Sequence, residues 1–334
     1  MANKIDMIVY WVDGNDPEWQ KKKAVYAAES GQDSSSGRYR DWDNLQYLFR
    51  GIEKFAPWIH RVFFVSDGQI PKWMNTNCPK LRIVDHKDYI PSEYLPVFNA
   101  NPIELNFHRI EDLSEQFLVA NDDCFFTSMT KETDFFINGM PVEIFMEYPI
   151  MCGGNNMIFS HMLANDFNAI GKAYERKEYK KRLRNKILSP KYGRYFFYNL
   201  AMYIAPFPRF YGMLTPHFTR PYLKSSFTEA WENEYELLDQ TCSHRFRDER
   251  DVNIYLIRMR NLMQGNFEPR NIFKYGNAFF IHEENDDVCK AIEKQSYKTI
   301  CVNDDCGEAV FENMKRKVNR SFEKILPEKC MFEK

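Results

Sequence analysis

The sequence predicts an α/β fold, a mainly parallel sheet with flanking helices, and three observations predict it. Apolar runs at Ile5–Val12, Val62–Val65 and Phe117–Ala120 have the length and composition of buried strands. Stretches with apolar residues at helical spacing lie between them. All three runs stop at acidic turns, at Asp13, at Asp67 and at Asp122-Asp123. Parallel strands gather their carboxyl ends on one edge, where open α/β sheets bind ligands, so these acids are expected on a shared rim.

Composition bounds the classes that remain. A chain of 334 residues that is 44% hydrophobic can bury a large core, as one catalytic domain spanning 1–334. A formal net charge of −2 gives no general attraction to nucleic acid, and none is expected as a partner. No run of 18 apolar residues is present to span a bilayer. The opening MANKIDMIVYWVDG does not read as a secretory signal, so a cytoplasmic location is expected. The eight cysteines form no CxxC pair and read as reduced, mostly buried thiols.

Taken in order, the first strand ends in Asp13-Gly14-Asn15-Asp16-Pro17, a turn whose residues suit either backbone geometry or a ligand. Lys21–Ser30 reads as a helix, and Gly31–Gly37 as a polar, mobile loop. Arg38 and Arg40 follow; they are suited to clamp phosphate, or to form an ordinary helix entry paired with Asp41. A helix over Asp43–Phe55 turns Leu45, Leu48, Phe49 and Ile52 inward, and Leu81–Val84 is a further short strand.

The most informative stretch is Asn101–Phe126. Asn101 suits an N-cap and Pro102 the first helical position. Ile103, Phe107 and Ile110 form an apolar face, which places Glu104 and His108 together on another face with Arg109 beside them. The strand Phe117–Ala120 then runs into Asn121-Asp122-Asp123. Two carboxylates in such a turn point to a bound cation and a diphosphate, or to a plain helix cap.

The second half is less regular. Asn156–Lys186 reads as helical and grows basic from Lys172 onward; an aromatic, basic stretch follows to Tyr211. The segment 155–212 is read as a helical insertion, an acceptor- or membrane-facing subdomain. Residues 172–211 are expected to make a peripheral contact with an anionic bilayer, against the plainer reading of a solvated face and an aromatic satellite core. Thr215–Pro221 is expected as a loop, with helices over Leu223–Glu236, Asp251–Leu262 and Glu308–Leu326. A strand is expected at Phe279–His282, and Ser296–Val302 leads to Asn303-Asp304-Asp305.

Several of these stretches together resemble a known family. They are IDMIVYWVDGNDPEW; RYRDWDNLQYLFRGIEKFAPWIHRVFFVSDGQIPKWM with HKDYIP and NPIELNFHRIEDLSEQFLVANDDCFF; TPHFTRPY with HRFRDERDV; and KTICVNDDCG. In that order they look like the four characteristic blocks of the Stealth proteins, bacterial capsular and exopolysaccharide phosphotransferases related to the catalytic part of the lysosomal-enzyme GlcNAc-1-phosphotransferase. The resemblance implies transfer of a hexose- or N-acetylhexosamine-1-phosphate from a UDP-sugar to a hydroxyl of a glycan or lipid-linked glycan acceptor. UMP leaves. It also implies a Rossmann-like sheet related to glycosyltransferases of the A type. By motif, Glu104 and Asp123 match the acids of the second block, His217 and Arg247 the histidine and arginine of the third, and Asp304 the acid of the fourth. Asp13 and Gly14 match the opening block, near the nucleotide. One departure stands out: where related sequences often carry a further histidine just before the one matching His217, this chain has Leu214 and Thr215.

A site follows from this. Asp122, Asp123 and Asp304 are expected to hold Mg2+ or Mn2+. His217 is expected as general base or nucleophile, with Glu104 as its rival. Arg247 should grip phosphate, and Arg38, Arg40, Gln69, Asn101, His108, Arg109 and Asn121 should bind substrate. The alternatives are a conventional glycosyltransferase releasing UDP, a non-catalytic nucleotide-sugar-binding protein, and a polyanion-binding protein using Lys172–Arg194.

Overall fold

The computed structural model describes residues 4–30, 40–150 and 157–334. Its strands are β1 (Ile5–Tyr10), β2 (Val62–Ser66), β3 (Leu81–Asp85), β4 (Gln116–Asn121), β5 (Cys124–Phe126), β6 (Phe136–Ile137), β7 (Met140–Glu143), β8 (Arg220–Leu223), β9 (Glu268–Pro269), β10 (Gly276–Ile281) and β11 (Thr299–Asp304). The main sheet has the order β3-β2-β1-β4-β8. β1 pairs parallel with both β2 and β4, and β2 parallel with β3; β8 closes the edge antiparallel to β4. The expected parallel-rich α/β architecture is therefore present. The order reverses beside β1, between it and β4, and a crevice opens at such a point beyond the carboxyl ends of the strands.

β1, β2 and β4 are apolar nearly throughout and buried on both faces, as strands covered by helices on two sides must be. A second sheet, β10-β11-β5, continues from β4 through the turn at Asp122-Asp123, and a small third sheet, β6-β7-β9, flanks it. Cys124 of β5 lies opposite Cys301 of β11 in the antiparallel register.

The helices are α1 (Pro17–Ser30), α2 (Leu45–Phe55), α3 (Ala100–Leu105), α4 (Met157–Ala173), α5 (Arg176–Arg182), α6 (Arg184–Ile187), α7 (Tyr195–Ile204), α8 (Lys224–Asn233), α9 (Tyr235–Ser243), α10 (Tyr255–Gln264), α11 (Asp287–Glu293) and α12 (Glu308–Ile325). α2 lies on β5, and Gly51 is what lets it approach: a Cβ there would stand 2.7 Å from the Phe126 carbonyl oxygen. α10 ends at Gly265, whose left-handed backbone closes the helix with hydrogen bonds back to Asn261 and Leu262. One continuous cluster of buried apolar residues joins all three sheets and the helices, including Phe167, Ile170 and Tyr179 of the segment expected as an insertion. Among the described residues no helix is long and apolar enough to cross a membrane.

Four expectations are revised. The helix expected from Asn101 is only the short α3, capped by Asn99, whose side chain accepts from the Asn101 N–H; a separate turn of 3-10 helix carries Phe107–Arg109. The helix over Asn156–Lys186 is broken at Tyr174-Glu175 and again at Leu183, with Met157 its first described helical residue. Part of the loop Thr215–Pro221 is strand β8, and Pro221 is tolerated there because β8 is an edge. α10 begins at Tyr255 and not at Asp251, whose carboxylate is used otherwise.

Candidate active site

A cleft of about 970 Å3 opens at the carboxyl ends of β1 and β4. Tyr10, the last residue of β1, and Asn121, the last of β4, both line it. So do Glu104, Asp123, His217 and Arg247, from four separate parts of the chain.

Glu104 enters from α3 and is buried. Its Oε1 accepts a hydrogen bond from the Tyr10 hydroxyl. Desolvation raises its pKa, opposed by that bond and by the positive fields of Arg220, Arg247 and His217. α3 is fixed at its start: the amides of Asn99 and Asn101 donate to Asp251 Oδ2 at 2.9 and 3.0 Å. Asp251 is completely buried and also accepts from His244 Nδ1 at 2.7 Å and from the Asp248 backbone N–H at 3.1 Å. It thereby pins the Glu104 helix to the loop that carries Arg247. Arg247 itself makes no hydrogen bond or ion pair among the described residues, so its fork is available in the cleft.

Asp123 lies in the turn between β4 and β5. Its Oδ2 is 3.3 Å from His217 Nε2 and also receives Cys301 Sγ at 3.1 Å and Asn303 Nδ2 at 3.4 Å; Oδ1 receives Cys124 Sγ at 3.3 Å. Desolvation works against its charge, but His217 and the two thiols outweigh it and hold the carboxyl below the usual range. A carboxylate on Nε2 orients the imidazole and leaves Nδ1 as the nitrogen with a free lone pair. For the neighbouring Asp122, desolvation by the surrounding walls, then the charges of Asp123 and Asp41, push the carboxyl up to about 7. The side chain keeps solvent contact, which screens part of that effect.

At the other end the cleft is aromatic. Phe98 and Phe246 stack with centroids 5.2 Å apart, and Trp19 meets Phe98 edge-on at 5.8 Å. This end offers flat faces, the other charges and an imidazole.

The remaining candidates are distributed less simply. Asn101, Asn121 and Asp122 line the cleft. Asp13, Gly14 and Gln69 build the turn after β1: Gln69 accepts from the Asp13 N–H and donates to the Asp13 carbonyl, and the Gly14 carbonyl accepts from Gln20. Arg109 donates to Asn106 Oδ1 and lies over the Trp231 ring, while His108 stacks on Phe227; neither lines the cleft, because the chain leaves the α3 helix after Leu105. Arg40 is bonded to both carboxylate oxygens of Asp304, at 2.9 and 2.6 Å, and to the Cys306 carbonyl. Asp304 is thus engaged away from Asp123, and Asn303, not Asp304, faces the cleft. Arg38 lies outside the described residues.

Sequence comparison agrees with the geometry. A family model described as Stealth protein CR2, conserved region 2, matches residues 38–143. A capsular polysaccharide phosphotransferase WcwK of Streptococcus pneumoniae is 36% identical over 99% of this chain and 98% of its own length. A receptor polysaccharide phosphotransferase WefC of Streptococcus oralis is 35% identical over 99% of both. An exopolysaccharide phosphotransferase cps2G of Lactiplantibacillus plantarum is 34% identical over 99% of this chain and 96% of its own. The chain belongs to the Stealth family. It is a transferase.

The conserved-region match explains where this Stealth protein's core site residues come from: Glu104, Asp122 and Asp123 fall inside it. His217 and Arg247 lie beyond it in sequence and meet it in the cleft. Whether a divalent cation fits can be judged from the donors. Among the described residues, the His, Cys, Asp and Glu groups close enough to share an ion are Asp123, Cys124 and Cys301, and thiols are poor ligands for a hard cation. Asp122 and Asp123 both line the cleft and offer the oxygen donors that a hard cation takes. Asp304, held by Arg40, does not join that set.

Three features of this Stealth site were not legible in the sequence. Tyr10 falls within an apolar strand run that gives no sign of a site residue. Asp251 looked like a helix start. Arg220 falls in a stretch with no strand signal, and only the pairing of β8 with β4 buries it. The NDD tripeptide at Asn121–Asp123 marks a turn that lines the cleft, but carries no sign of the thiols that surround Asp123.

Proposed function

We propose that this protein transfers a hexose- or N-acetylhexosamine-1-phosphate from a UDP-sugar to a hydroxyl of a glycan or lipid-linked glycan, in capsular or exopolysaccharide synthesis. The observation that carries this reading is the convergence of Glu104, Asp123, His217 and Arg247 on one cleft at the sheet's crossover point. The full-length likeness to phosphotransferases of polysaccharide synthesis supports it. The strand order also supports relating the fold to the A-type nucleotide-sugar glycosyltransferases.

In this reading the acceptor oxygen attacks the sugar-bearing phosphorus. The new P–O bond forms as the bond to the bridging oxygen breaks, and UMP leaves with that oxygen. His217 Nδ1 takes the acceptor proton, while Asp123 holds Nε2–H and stabilises the imidazolium. Arg247 grips the equatorial phosphate oxygens. Glu104, whose pKa burial raises, positions the substrate with Tyr10. Mg2+ or Mn2+, held by Asp122 and Asp123, would supply charge neutralisation for the leaving phosphate. The stacked Phe98 and Phe246 offer a face for the base or a sugar ring.

The test is product identity. Incubated with a panel of UDP-sugars, Mg2+ and glycan acceptors, the protein should release UMP and give a phosphodiester signal by phosphorus NMR. UDP release would instead mean transfer at the anomeric carbon, and tight donor binding without turnover a binding protein. We further propose that it works on the cytoplasmic face of the membrane, with the basic and aromatic region 172–211 toward the bilayer.

A further inference from the structure

Among the described residues the buried arginines are satisfied with one exception. Arg176 has its fork on both oxygens of Glu147, and Arg258 on both oxygens of Glu143 at 2.7 Å. Arg260 pairs with Glu234 at 2.6 Å. Arg220 is equally buried, at 4% exposure, yet its Nε and Nη1 have no hydrogen-bond partner, and no carboxylate among the described residues comes within ion-pair distance. What holds it is aromatic: its guanidinium carbon is 4.3 Å from the centre of the Tyr255 ring and 5.9 Å from that of Tyr222. A buried guanidinium with open donors is costly, because the water it lost has not been replaced.

Arg220 lines the cleft. It is the first residue of β8, opposite Val119 of β4, one residue short of the Ala120–Asn121 strand end. Glu104, the carboxylate whose charge acts on it most, is already bonded to Tyr10. The open donors therefore await an anion that comes from outside the fold. A planar fork that cannot lose its proton matches two oxygens of a phosphate group.

We propose that Arg220 is a phosphate-binding residue of the cleft, taking one phosphate of the substrate's diphosphate while Arg247 takes the other. That the diphosphate belongs to a nucleotide sugar rests on the reading above; that Arg220 binds a phosphate does not. The ring faces of Tyr255 and Tyr222 fix the fork in advance, so little side-chain freedom is lost when the anion arrives. Arg220 lies within the stretch TPHFTRPY, from which the resemblance assigns a role to His217 alone.

The test uses the full chain, inorganic pyrophosphate as probe in 1 mM MgCl2, and isothermal titration with thermal melting alongside. Arg220→Met should bind pyrophosphate at least tenfold more weakly than the native protein while melting at the same temperature or higher, since an unpaired charge has gone. Arg220→Lys, which keeps the charge and loses the fork, should fall between them. Pyrophosphate affinity within twofold of native in folded Arg220→Met would overturn the proposal and leave Arg220 a hydrated core residue, as would a native protein that does not bind pyrophosphate at millimolar concentration. If the methionine variant does not fold, native-like binding by Arg220→Lys overturns it instead. Arg220-dependent pyrophosphate binding in a protein that releases no UMP from any UDP-sugar would keep this inference and remove the transferase reading.

Discussion

Asp123 and His217 are 94 residues apart in sequence, and at the scale of single residues the proposed proton transfer rests on their contact. Asp123→Asn should keep the fold, since the amide fills the same space, but it presents a donor where Nε2–H needs an acceptor and turns the imidazole to the wrong tautomer. We expect kcat to fall by about 10²- to 10⁴-fold, as for loss of a positioned base, with His217→Ala no better. A His217→Ala enzyme with near-native turnover would end the base assignment. His108 makes the opposite case. Desolvation, then the charges of Arg109 and Lys224, lower its pKa from 6.5 to about 4, and its Nδ1 is buried without a partner. The folded state takes that proton only near pH 4, whereas the unfolded chain takes it near 6.5. The contribution of His108 is thus fully present above pH 6.5 and lost as the pH falls toward 4, by on the order of 2–3 kcal/mol. His108→Phe, which keeps a ring against Phe227 and Trp231, should flatten that part of the urea-stability curve and leave kcat unchanged. An unaltered slope would show that the imidazole is not buried neutral.

At the scale of elements, what the sequence made legible is what burial dictates. β1, β2 and β4 were plain because strands covered on both faces must be apolar from end to end, and α2 because its inward residues repeat at helical spacing. β8 was hidden: four residues containing Arg and Pro carry no strand signal, and their pairing with β4 is decided by tertiary contact. α3 was overextended because Glu104 and His108 have helical spacing in a segment whose backbone changes course at Asn106. α7 shows a case where an element's exposed side is the informative one. Phe197 and Ile204 are 72% and 73% exposed, Leu200 lies between them on the same face, and Phe207 follows just beyond. Lys177, Lys181, Arg194 and Arg209 are exposed in the same stretch of chain, as are Glu175 and Glu178, and Lys180 lies over the Tyr203 ring, which brings α5 against α7. An exposed apolar stripe within a basic segment suits an anionic bilayer interface. The protein should cosediment with vesicles containing anionic phosphatidylglycerol and be released by salt. Phe197→Ser with Ile204→Ser should weaken that binding about tenfold without changing the melting temperature. Equal binding to neutral vesicles, or no loss in the double variant, would count against it.

At the scale of the whole molecule, the cleft is a meeting of sequence-distant parts: residue 10 from the first strand, 104 and 123 around the fourth, 217 to 255 from the second half, and 303 from the last strand. The topology makes the meeting possible, because the reversal beside β1 leaves a space that later segments fill. It also explains why the acids of the fourth block were placed too simply. Motif order put Asp304 with Asp123, but β11 pairs with β5 so that Asn303 meets Asp123, while Asp304 meets Arg40, which arrives from the other end of the chain. The two placements make different demands. If Asp304 acts through Arg40, it fastens the entry of α2 to the start of α12, where Arg40 also reaches Glu308 and covers the Phe311 ring. Asp304→Asn and Arg40→Ala should then lower activity and melting temperature by similar amounts, the double variant should lose little more than either single, and the Mg2+ concentration for half-maximal activity should not move. A cation ligand behaves otherwise: Asp304→Asn would raise that Mg2+ concentration severalfold, and Arg40→Ala would leave it alone or lower it by freeing the carboxylate. Titrating Mg2+ against initial rate in the four proteins separates the cases, and the ion pair seen here predicts the first.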